Sequence, residues 1–178
     1  VREQIIASGI RLFSDLGIEN VTVDRIAEAA DVGKGTIYNY FQTKEEILVA
    51  FMTELERRVQ ARLHRFTSSK GSLDAVLVDF IRFQFRFKSP HRKFVRVFLS
   101  QMFLRTEELL PYMAEMQRVI DPPLEKLFRS LQESGAIRKD VGLSDLTSVF
   151  KTIHLGLTAL WAIEGPPFRG TKRILRQE

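Results

Sequence analysis

The chain has 178 residues, 44% of them hydrophobic, which is enough for a folded core and excludes a disordered chain. It has no cysteine, so disulfides, thiolate catalysis and cysteine-ligated metals are excluded, and a reducing cytoplasm is the expected location. No apolar run of membrane-spanning length is evident, so no membrane partner is expected.

Positive charge is unevenly distributed along the chain. The net charge is +5, which favours attraction to a polyanion. Residues 1–45 carry five basic and seven acidic side chains, a net charge of −2, whereas the rest carries 22 basic and 15 acidic side chains, a net charge of +7. The overall charge therefore does not locate a binding site.

The opening "VREQIIASGIRLF" is too charged for a signal peptide, and because the chain opens on Val1, a start methionine at least is expected before it.

Hydrophobic periodicity predicts three short helices at the start of the chain. Residues 5–16 repeat apolar side chains at helical spacing, and Gly17 is a typical helix terminator. Thr22 is the expected N-cap of a second helix at 23–30. A third helix, of about two turns, is predicted at 34–40.

Longer helices are predicted for the remainder. The sequence "TKEE" reads as a capping box in which Thr43 and Glu46 satisfy each other's amides, and it opens a long helix that runs to about residue 66. The sequence "DPP" is expected to interrupt a later helix, with Asp121 capping the restarted segment. The later helices are predicted at 73–88, 92–104, 107–133, 145–164 and 168–176.

The predicted fold class is all-α with about nine helices, since no segment alternates apolar and polar residues between turn signals as a strand would. Three short helices with a tight turn between the second and third form a helix-turn-helix, whose third helix enters the major groove of DNA. We therefore predict an N-terminal helix-turn-helix DNA-binding domain at residues 1–45, followed by a larger helical domain at residues 46–178.

The third predicted helix, within "VGKGTIYNYFQTKEEIL", is too short to bury much of its own surface. Ile37 and Phe41 lie four residues apart and can face the core. The tyrosine and asparagine side chains are then exposed, and DNA can cover them with phosphate oxygens, thymine methyl groups and base edges. Gly33 and Gly35 allow the backbone to approach a phosphate closely. The side chains expected to point outward are Lys34, Thr36, Tyr38, Asn39 and Tyr40.

The segment "VTVDRIAEAADVGKGTIYNYFQTKEEIL" resembles the DNA-binding signature of the TetR (tetracycline repressor-like) family of bacterial transcriptional regulators, over about the first 48 residues. The resemblance implies a homodimer that a small-molecule effector releases from a palindromic operator in double-stranded DNA. It also implies that residues 46–178 form the ligand-binding and dimerisation domain. Two features depart from the family pattern: little basic arm precedes the first helix, and Gly33 occupies a position that is often serine or threonine.

Carried over to this chain, the resemblance assigns DNA contacts to a group of residues in and around the third helix. Some would bind phosphates, Tyr38 would contact both the DNA backbone and the bases, and Asn39 would lie near the base edges. The predicted DNA-binding residues are Thr22, Gly33, Lys34, Gly35, Thr36, Tyr38, Asn39, Tyr40, Thr43 and Lys44.

The chain has 14 phenylalanines, and most lie in the larger domain with methionine, tyrosine and tryptophan. For any single residue, ordinary core packing is the simpler interpretation. The alternative, which the resemblance favours for the set, is a pocket for an apolar or aromatic effector. Basic residues crowd the range 57–105, which is either a solvated face or a site for an anionic effector such as an acyl-CoA. The candidate ligand-binding residues are Phe83, Phe87, Phe98, Met102, Tyr112, Met113, Met116 and Trp161.

The predicted 145–164 helix is apolar on more than one face, and Gly156 allows another helix to approach closely. The resemblance implies that this helix and the last one pair with the same helices of a second subunit. The candidate dimer-interface residues are Val149, Ile153, Gly156, Leu157 and Leu160.

No set of residues supports an enzyme. The "GKGT" sequence lacks the spacing and the preceding strand of a P-loop, and no serine sits in a nucleophile elbow. His64, His91 and His154 share no ligand spacing, so neither a metal nor a cofactor is expected, and His154 is interpreted as a core or interface polar group. The alternative to DNA binding is a protein–protein interaction module, which the negative charge of residues 1–45 favours. A steep dependence of affinity on salt would identify DNA binding.

Overall fold

The computed structural model describes residues 1–63, 73–104 and 106–165, apart from the side chains of residues 106 and 108. Within this part the chain forms eight α-helices and two 3-10 turns without any strand, which confirms the predicted all-α class. The predicted helix at 168–176 lies outside the described residues. The fourth helix ends at Gln60, so its predicted end near residue 66 is wrong. The helices are α1 (Arg2–Leu16), α2 (Val23–Ala29), α3 (Lys34–Tyr38), α4 (Lys44–Gln60), α5 (Leu73–Lys88), α6 (Arg92–Leu104), α7 (Thr106–Glu133) and α8 (Leu143–Glu164).

The helices are divided between two compact units. The first unit combines Val1–Leu55 with His91–Met116, and the second combines Glu56–Pro90 with Gln117–Glu178. Helices α4 and α7 contribute residues to both units, so the boundary within α4 falls inside a continuous helix. The domain boundary expected from the sequence, between residues 45 and 46, stays a prediction.

In the first unit, α1 packs against α2 and α6 over an apolar core. Gly9 lets α1 come close to α4, because a Cβ atom in its place would lie 3.0 Å from the Cγ2 atom of Ile47. Gly17 ends α1 as predicted, with a φ angle of 78° and an N–H group that donates to the Phe13 carbonyl. The buried side chains of this core include Ile5, Phe13, Val21, Ile26, Ile37, Phe41 and Leu48.

Side-chain hydrogen bonds fix the starts of α2 and α4. Thr22 Oγ1 accepts from the Arg25 N–H at 3.2 Å, so Thr22 is the N-cap of α2 as predicted. Thr43 Oγ1 likewise accepts from the Glu46 N–H at 3.1 Å, which is the first half of the predicted capping box. The second half of that prediction is wrong. The Glu46 carboxylate reaches past Thr43 and accepts from the Gln42 N–H at 2.7 Å.

In the second unit, α5 packs against α8 through aromatic rings. Phe80 stacks on Phe150 with 6.0 Å between ring centroids, and Phe128 of α7 meets Phe150 edge-on at 5.8 Å. Phe85 and Trp161 stack almost parallel, at 5.5 Å and 7°. These rings hold α5, α7 and α8 around one aromatic core.

The prediction that "DPP" interrupts the helix is wrong, because α7 continues through residues 121–123. The side chains that follow, Leu124, Leu127 and Phe128, are buried. Their packing offsets the backbone hydrogen bonds that two prolines remove. The Asp121 carboxylate does not cap a new helix but accepts from the Lys151 Nζ of α8 at 2.7 Å.

Helix α8 is long and apolar. Its mean hydropathy reaches 1.3 over an 18-residue window, so by length and composition alone it could cross a membrane. The expectation that no segment reaches that length is therefore wrong. One side of α8 packs inside the second unit through Phe150, Leu157 and Trp161, as in the core helix of a folded domain.

Candidate nucleic-acid interface

Helix α3 is anchored on one side and exposed on the other. Ile37 and the following Phe41 are only 1% and 2% exposed, whereas Tyr38 and Tyr40 are 42% and 44% exposed. The helix is shorter than predicted, since Asn39 and Tyr40 lie in a turn. The turn is tight, because the N–H groups of Tyr40 and Phe41 both donate to the Ile37 carbonyl. The short helix therefore presents its polar side chains on a fixed backbone.

The structure brings the predicted DNA-binding residues together on the segment that runs from the start of α2 to the start of α4. Thr36 and Lys44 are half-buried and the other eight are exposed. Asp31, in the turn between α2 and α3, has a φ angle of 52°, which is uncommon for a residue other than glycine. The role of each of these residues in DNA binding stays a prediction.

Lys34, the first residue of α3, is paired with a residue absent from the predicted set. Its Nζ lies 2.9 Å from the carboxylate of Asp24 on α2, and both side chains are more than half exposed. The hydrogen bond that Lys34 donates to Asp24, together with the charge of that carboxylate, raises the pKa of Lys34. No sequence spacing reveals this pair, because the two residues are ten positions apart across the turn.

Lys44 has a structural role that the sequence did not indicate. Its Nζ donates to the carbonyls of Ile18 at 2.7 Å and Val21 at 3.1 Å, so it ties the start of α4 to the connection between α1 and α2. Because an ammonium group carries three donors, one N–H remains for the phosphate contact predicted for Lys44.

The candidate ligand-binding residues do not fall in one unit. Phe98, Met102, Tyr112, Met113 and Met116 belong to the first unit, and Phe83, Phe87 and Trp161 belong to the second. In the second unit, the ring of Phe83 lies 5.9 Å from that of Phe87, and the Arg62 guanidinium lies 5.0 Å from the Phe87 centroid. The function of the whole group stays a prediction.

A buried polar cluster lies in the second unit and was not predicted. Lys88 is 0% exposed and pairs with the Glu56 carboxylate, which is 7% exposed, and it also donates to Gln84 Oε1 at 3.2 Å. The interpretation of the basic range as a solvated face is therefore wrong for Lys88. One turn after Glu56, the Gln60 Oε1 atom is buried with no hydrogen-bond partner in the described part of the chain.

His154 on α8 borders this cluster. Its ring stacks on those of Phe85 at 6.2 Å and Phe150 at 6.0 Å. Burial, together with the charge of Lys88, lowers the pKa of His154 to about 3. The ring is therefore neutral at physiological pH, in agreement with its interpretation as a core polar group.

Helix α8 exposes an apolar stripe. Val149, Ile153 and Leu160 are 60%, 56% and 41% exposed, and a Cβ atom at Gly156 would meet nothing within 4 Å. Ile163, which was not predicted, continues the stripe at 68% exposure. Leu157 borders this stripe but is only 7% exposed in the single chain, and its place in a dimer interface stays a prediction.

An anchored, exposed third helix in a three-helix N-terminal segment defines a helix-turn-helix DNA-binding protein. The model for "Bacterial regulatory proteins, tetR family" matches residues 5–51. Residues 5–51 thus form a DNA-binding domain of the TetR family, and the chain is a DNA-binding transcriptional regulator.

Relatives that align over nearly the whole chain are also transcriptional regulators. The repressor AcnR of Corynebacterium glutamicum is 28% identical over 178 residues, covering 98% of this chain and 88% of AcnR. The regulator YhgD of Bacillus subtilis is 23% identical over 171 residues, covering 93% of this chain and 86% of YhgD.

Solved structures share the fold. FadR of Bacillus subtilis in complex with stearoyl-CoA has a TM-score of 0.72 at 22% identity, covering 90% of this chain and 87% of that one. FadR of Thermus thermophilus in complex with lauroyl-CoA has a TM-score of 0.70 at 22% identity, covering 93% and 85%.

Proposed function

We propose that the protein is a cytoplasmic, homodimeric repressor that binds a palindromic operator and leaves it when a small-molecule effector binds. The observation that carries the DNA-binding surface is the exposure of Tyr38 and Tyr40 next to the fully anchored Ile37. Exposed aromatic side chains on a rigid backbone suit a partner that offers phosphate oxygens and thymine methyl groups.

In this proposal α3 enters the major groove. Tyr38, Asn39 and Lys34 meet base edges, because they lie on or directly after the exposed side of the helix. Phosphate contacts come from the hydroxyl groups of Thr22, Thr36, Tyr40 and Thr43, from the backbone at Gly33 and Gly35, and from the remaining N–H of Lys44.

The exposed stripe on α8 supports a second copy of the chain as partner. Its members are spaced alternately by four and three residues, which is the pattern of a helix that packs along another helix. Gly156, in the middle of the stripe, has open space where a neighbouring backbone can approach. Two recognition helices can then reach two half-sites, which gives a short helix sufficient affinity.

For the effector we propose an apolar molecule with an acidic or polar head group, such as an acyl-CoA. The second unit combines aromatic rings at Phe85 and Trp161 with the buried ammonium group of Lys88 and the unpaired Gln60 Oε1. A buried charge and an unpaired acceptor are costly unless they serve recognition or another role. The acyl-CoA complexes of the two FadR proteins agree with this class.

Release from DNA requires that the effector binds better to a conformation that fits the operator poorly. Helix α4 is the element that can transmit this difference, because it begins next to α3 and ends in the second unit.

The test begins with selection of a binding site from randomised duplex DNA, followed by fluorescence anisotropy with the enriched sequence. We expect a palindrome and a steep fall of affinity with salt. Tyr38→Ala should weaken operator binding by about 1–3 kcal/mol per half-site. The matched control is Phe103→Ala, an aromatic residue that is 66% exposed outside the helix-turn-helix and should leave binding unchanged.

Lauroyl-CoA or stearoyl-CoA is then added to the protein–operator complex, with coenzyme A alone as the control. Dissociation by the acyl-CoA only would support the effector class, whereas unchanged operator binding and unchanged thermal stability would reject it. Failure to enrich any sequence, even at low salt, would favour the alternative in which the helix-turn-helix binds a protein.

A further inference from the structure

The cationic side chains of the helix-turn-helix are all held by partners within the chain. From residue 22 to residue 45 they are Arg25, Lys34 and Lys44. Arg25 donates to the Asn20 carbonyl at 3.2 Å, and Lys44 donates to two carbonyls. Only Lys34 has a charged partner in this segment, the Asp24 carboxylate. The carbonyl partners leave the charges of Arg25 and Lys44 in place, whereas Asp24 offsets the charge of Lys34.

The Asp24–Lys34 pair joins the two helices that approach DNA. Asp24 lies in the first turn of α2, and Lys34 is the first residue of α3. Wherever Lys34 contacts DNA, the Asp24 carboxylate is close enough to repel a phosphate or to retain its hydrogen bond from Lys34. Exposed ion pairs are weak and an ammonium group has three N–H donors, so Lys34 can donate to a second acceptor at little cost.

Sequence-independent binding to DNA is driven mainly by contacts between cations and phosphates. Operator binding adds hydrogen bonds to base edges, and lysine pairs well with the acceptors of guanine. The Asp24 carboxylate offsets the charge that attracts Lys34 to a phosphate and repels the phosphate itself, but it occupies only part of the three N–H donors of the ammonium group. A neutral base edge needs those donors and not the net charge, so Asp24 penalises the phosphate contact more than the base contact.

We propose that Asp24 is a positioning residue for specificity: it offsets the charge of Lys34 toward the phosphates of non-cognate DNA and leaves N–H donors of Lys34 for a base edge of the operator. Asp24 thereby lowers the affinity for random sequence more than the affinity for the operator.

The test measures binding to the selected operator and to a random duplex of equal length, between 50 and 300 mM salt, for the full chain. Asp24→Asn should raise the affinity of a dimer, with two such ion pairs, for the random duplex by about 2- to 30-fold and raise operator affinity less. Its slope of log affinity against log salt on the random duplex should steepen by about 0.9 for each bound subunit, as expected for one added phosphate contact.

The matched control is Glu28→Gln, which removes the same charge from an exposed position on α2. If Asp24→Asn and Glu28→Gln raise the affinity for the random duplex equally, the proposal is overturned, because the effect is then one of overall charge. Asp24→Glu should restore the behaviour of the unmodified protein, because it restores the carboxylate.

Lys34→Gln separates the proposal from a purely structural role of Asp24. It should weaken operator binding but leave the salt slope on the random duplex unchanged, since Lys34 makes no phosphate contact there while Asp24 holds it. In the Lys34→Gln background, Asp24→Asn should lose its effect on the salt slope. A flatter slope for Lys34→Gln alone, or an undiminished effect in the double variant, would contradict the mechanism. Equal melting temperatures exclude misfolding.

Discussion

At the scale of single residues, His154 shows how the second unit keeps an ionisable group neutral. Its ring stacks on two phenylalanines, and burial and the charge of Lys88 lower its pKa to about 3. In the unfolded chain the imidazole has its ordinary pKa, near 6.5. Below that pH the unfolded state binds a proton that the folded state does not, so stability is lost as the pH falls.

We therefore expect the free energy of unfolding to fall by about 1–2 kcal/mol between pH 7.5 and pH 5 on account of His154. The upper value corresponds to the 1.5 pH units between the ordinary histidine pKa and pH 5. The lower value allows for solvent screening, because His154 is only half-buried. Urea denaturation at both pH values measures the change. His154→Phe keeps an aromatic ring in the stack and should remove this part of the pH dependence. If the variant keeps the full dependence, another group is responsible.

Several single-residue contacts could not be predicted from the sequence. Asp24 meets Lys34, and Lys44 meets the carbonyls of Ile18 and Val21, only after the three short helices have packed. Lys88 looks like one member of a basic run, and nothing in that run distinguishes the buried lysine from its exposed neighbours. Exposed Tyr38 was predictable, because a two-turn helix with Ile37 inside leaves the next side chain outside.

At the scale of elements, the sequence predicted most helices well. The bounds of α5 and α6 agree with the predicted 73–88 and 92–104, since the apolar repeat is strong and turn residues follow α5. The break expected at "DPP" in α7 was wrong because a local rule about proline was applied without knowledge of the packing around it. The burial of Leu157 at the edge of the exposed stripe was not predictable, because α8 is apolar on more than one side and the sequence does not say where the buried side ends.

The ion pair between α4 and α5 leads to a prediction at this scale. Lys88 and Glu56 are 0% and 7% exposed, so loss of one partner leaves the other as an unpaired buried charge. Lys88→Met should lower the free energy of unfolding by about 3–5 kcal/mol. The double variant Lys88→Met/Glu56→Met should recover most of that loss, because it buries no charge. Urea denaturation of both variants measures the free energies of unfolding. An equal loss in the single and the double variant would contradict this prediction and show that the two methionine side chains do not fit the space of the ion pair.

At the scale of the whole molecule, the exposed stripe on α8 predicts the oligomeric state. Ile153→Lys places a charge in the stripe at a position that is 56% exposed in the single chain. A single chain should tolerate it, whereas a dimer that buries this face should dissociate. Sedimentation velocity should show a shift from dimer to monomer, with operator affinity falling by at least tenfold, since one half-site contributes less than two.

Ser148→Lys is the matched control, because Ser148 is exposed on α8 and lies about 100° around the helix from the stripe residue Val149. It should remain dimeric and bind the operator normally. A dimeric Ile153→Lys protein, or equal dissociation of the two variants, would place the subunit contact elsewhere.

The boundary inside α4 has a practical consequence for building hybrid regulators. The chain passes between the two units three times, and the first passage, between Leu55 and Glu56, lies within helix α4 and not in a loop. One inserted residue in a helix turns everything after it by about 100° and shifts it by about 1.5 Å. A chimera that joins this DNA-reading segment to the sensor of another regulator therefore has to conserve helical phase at the junction. Exchange of the two modules by recombination is restricted to cuts that preserve the residue count of this helix.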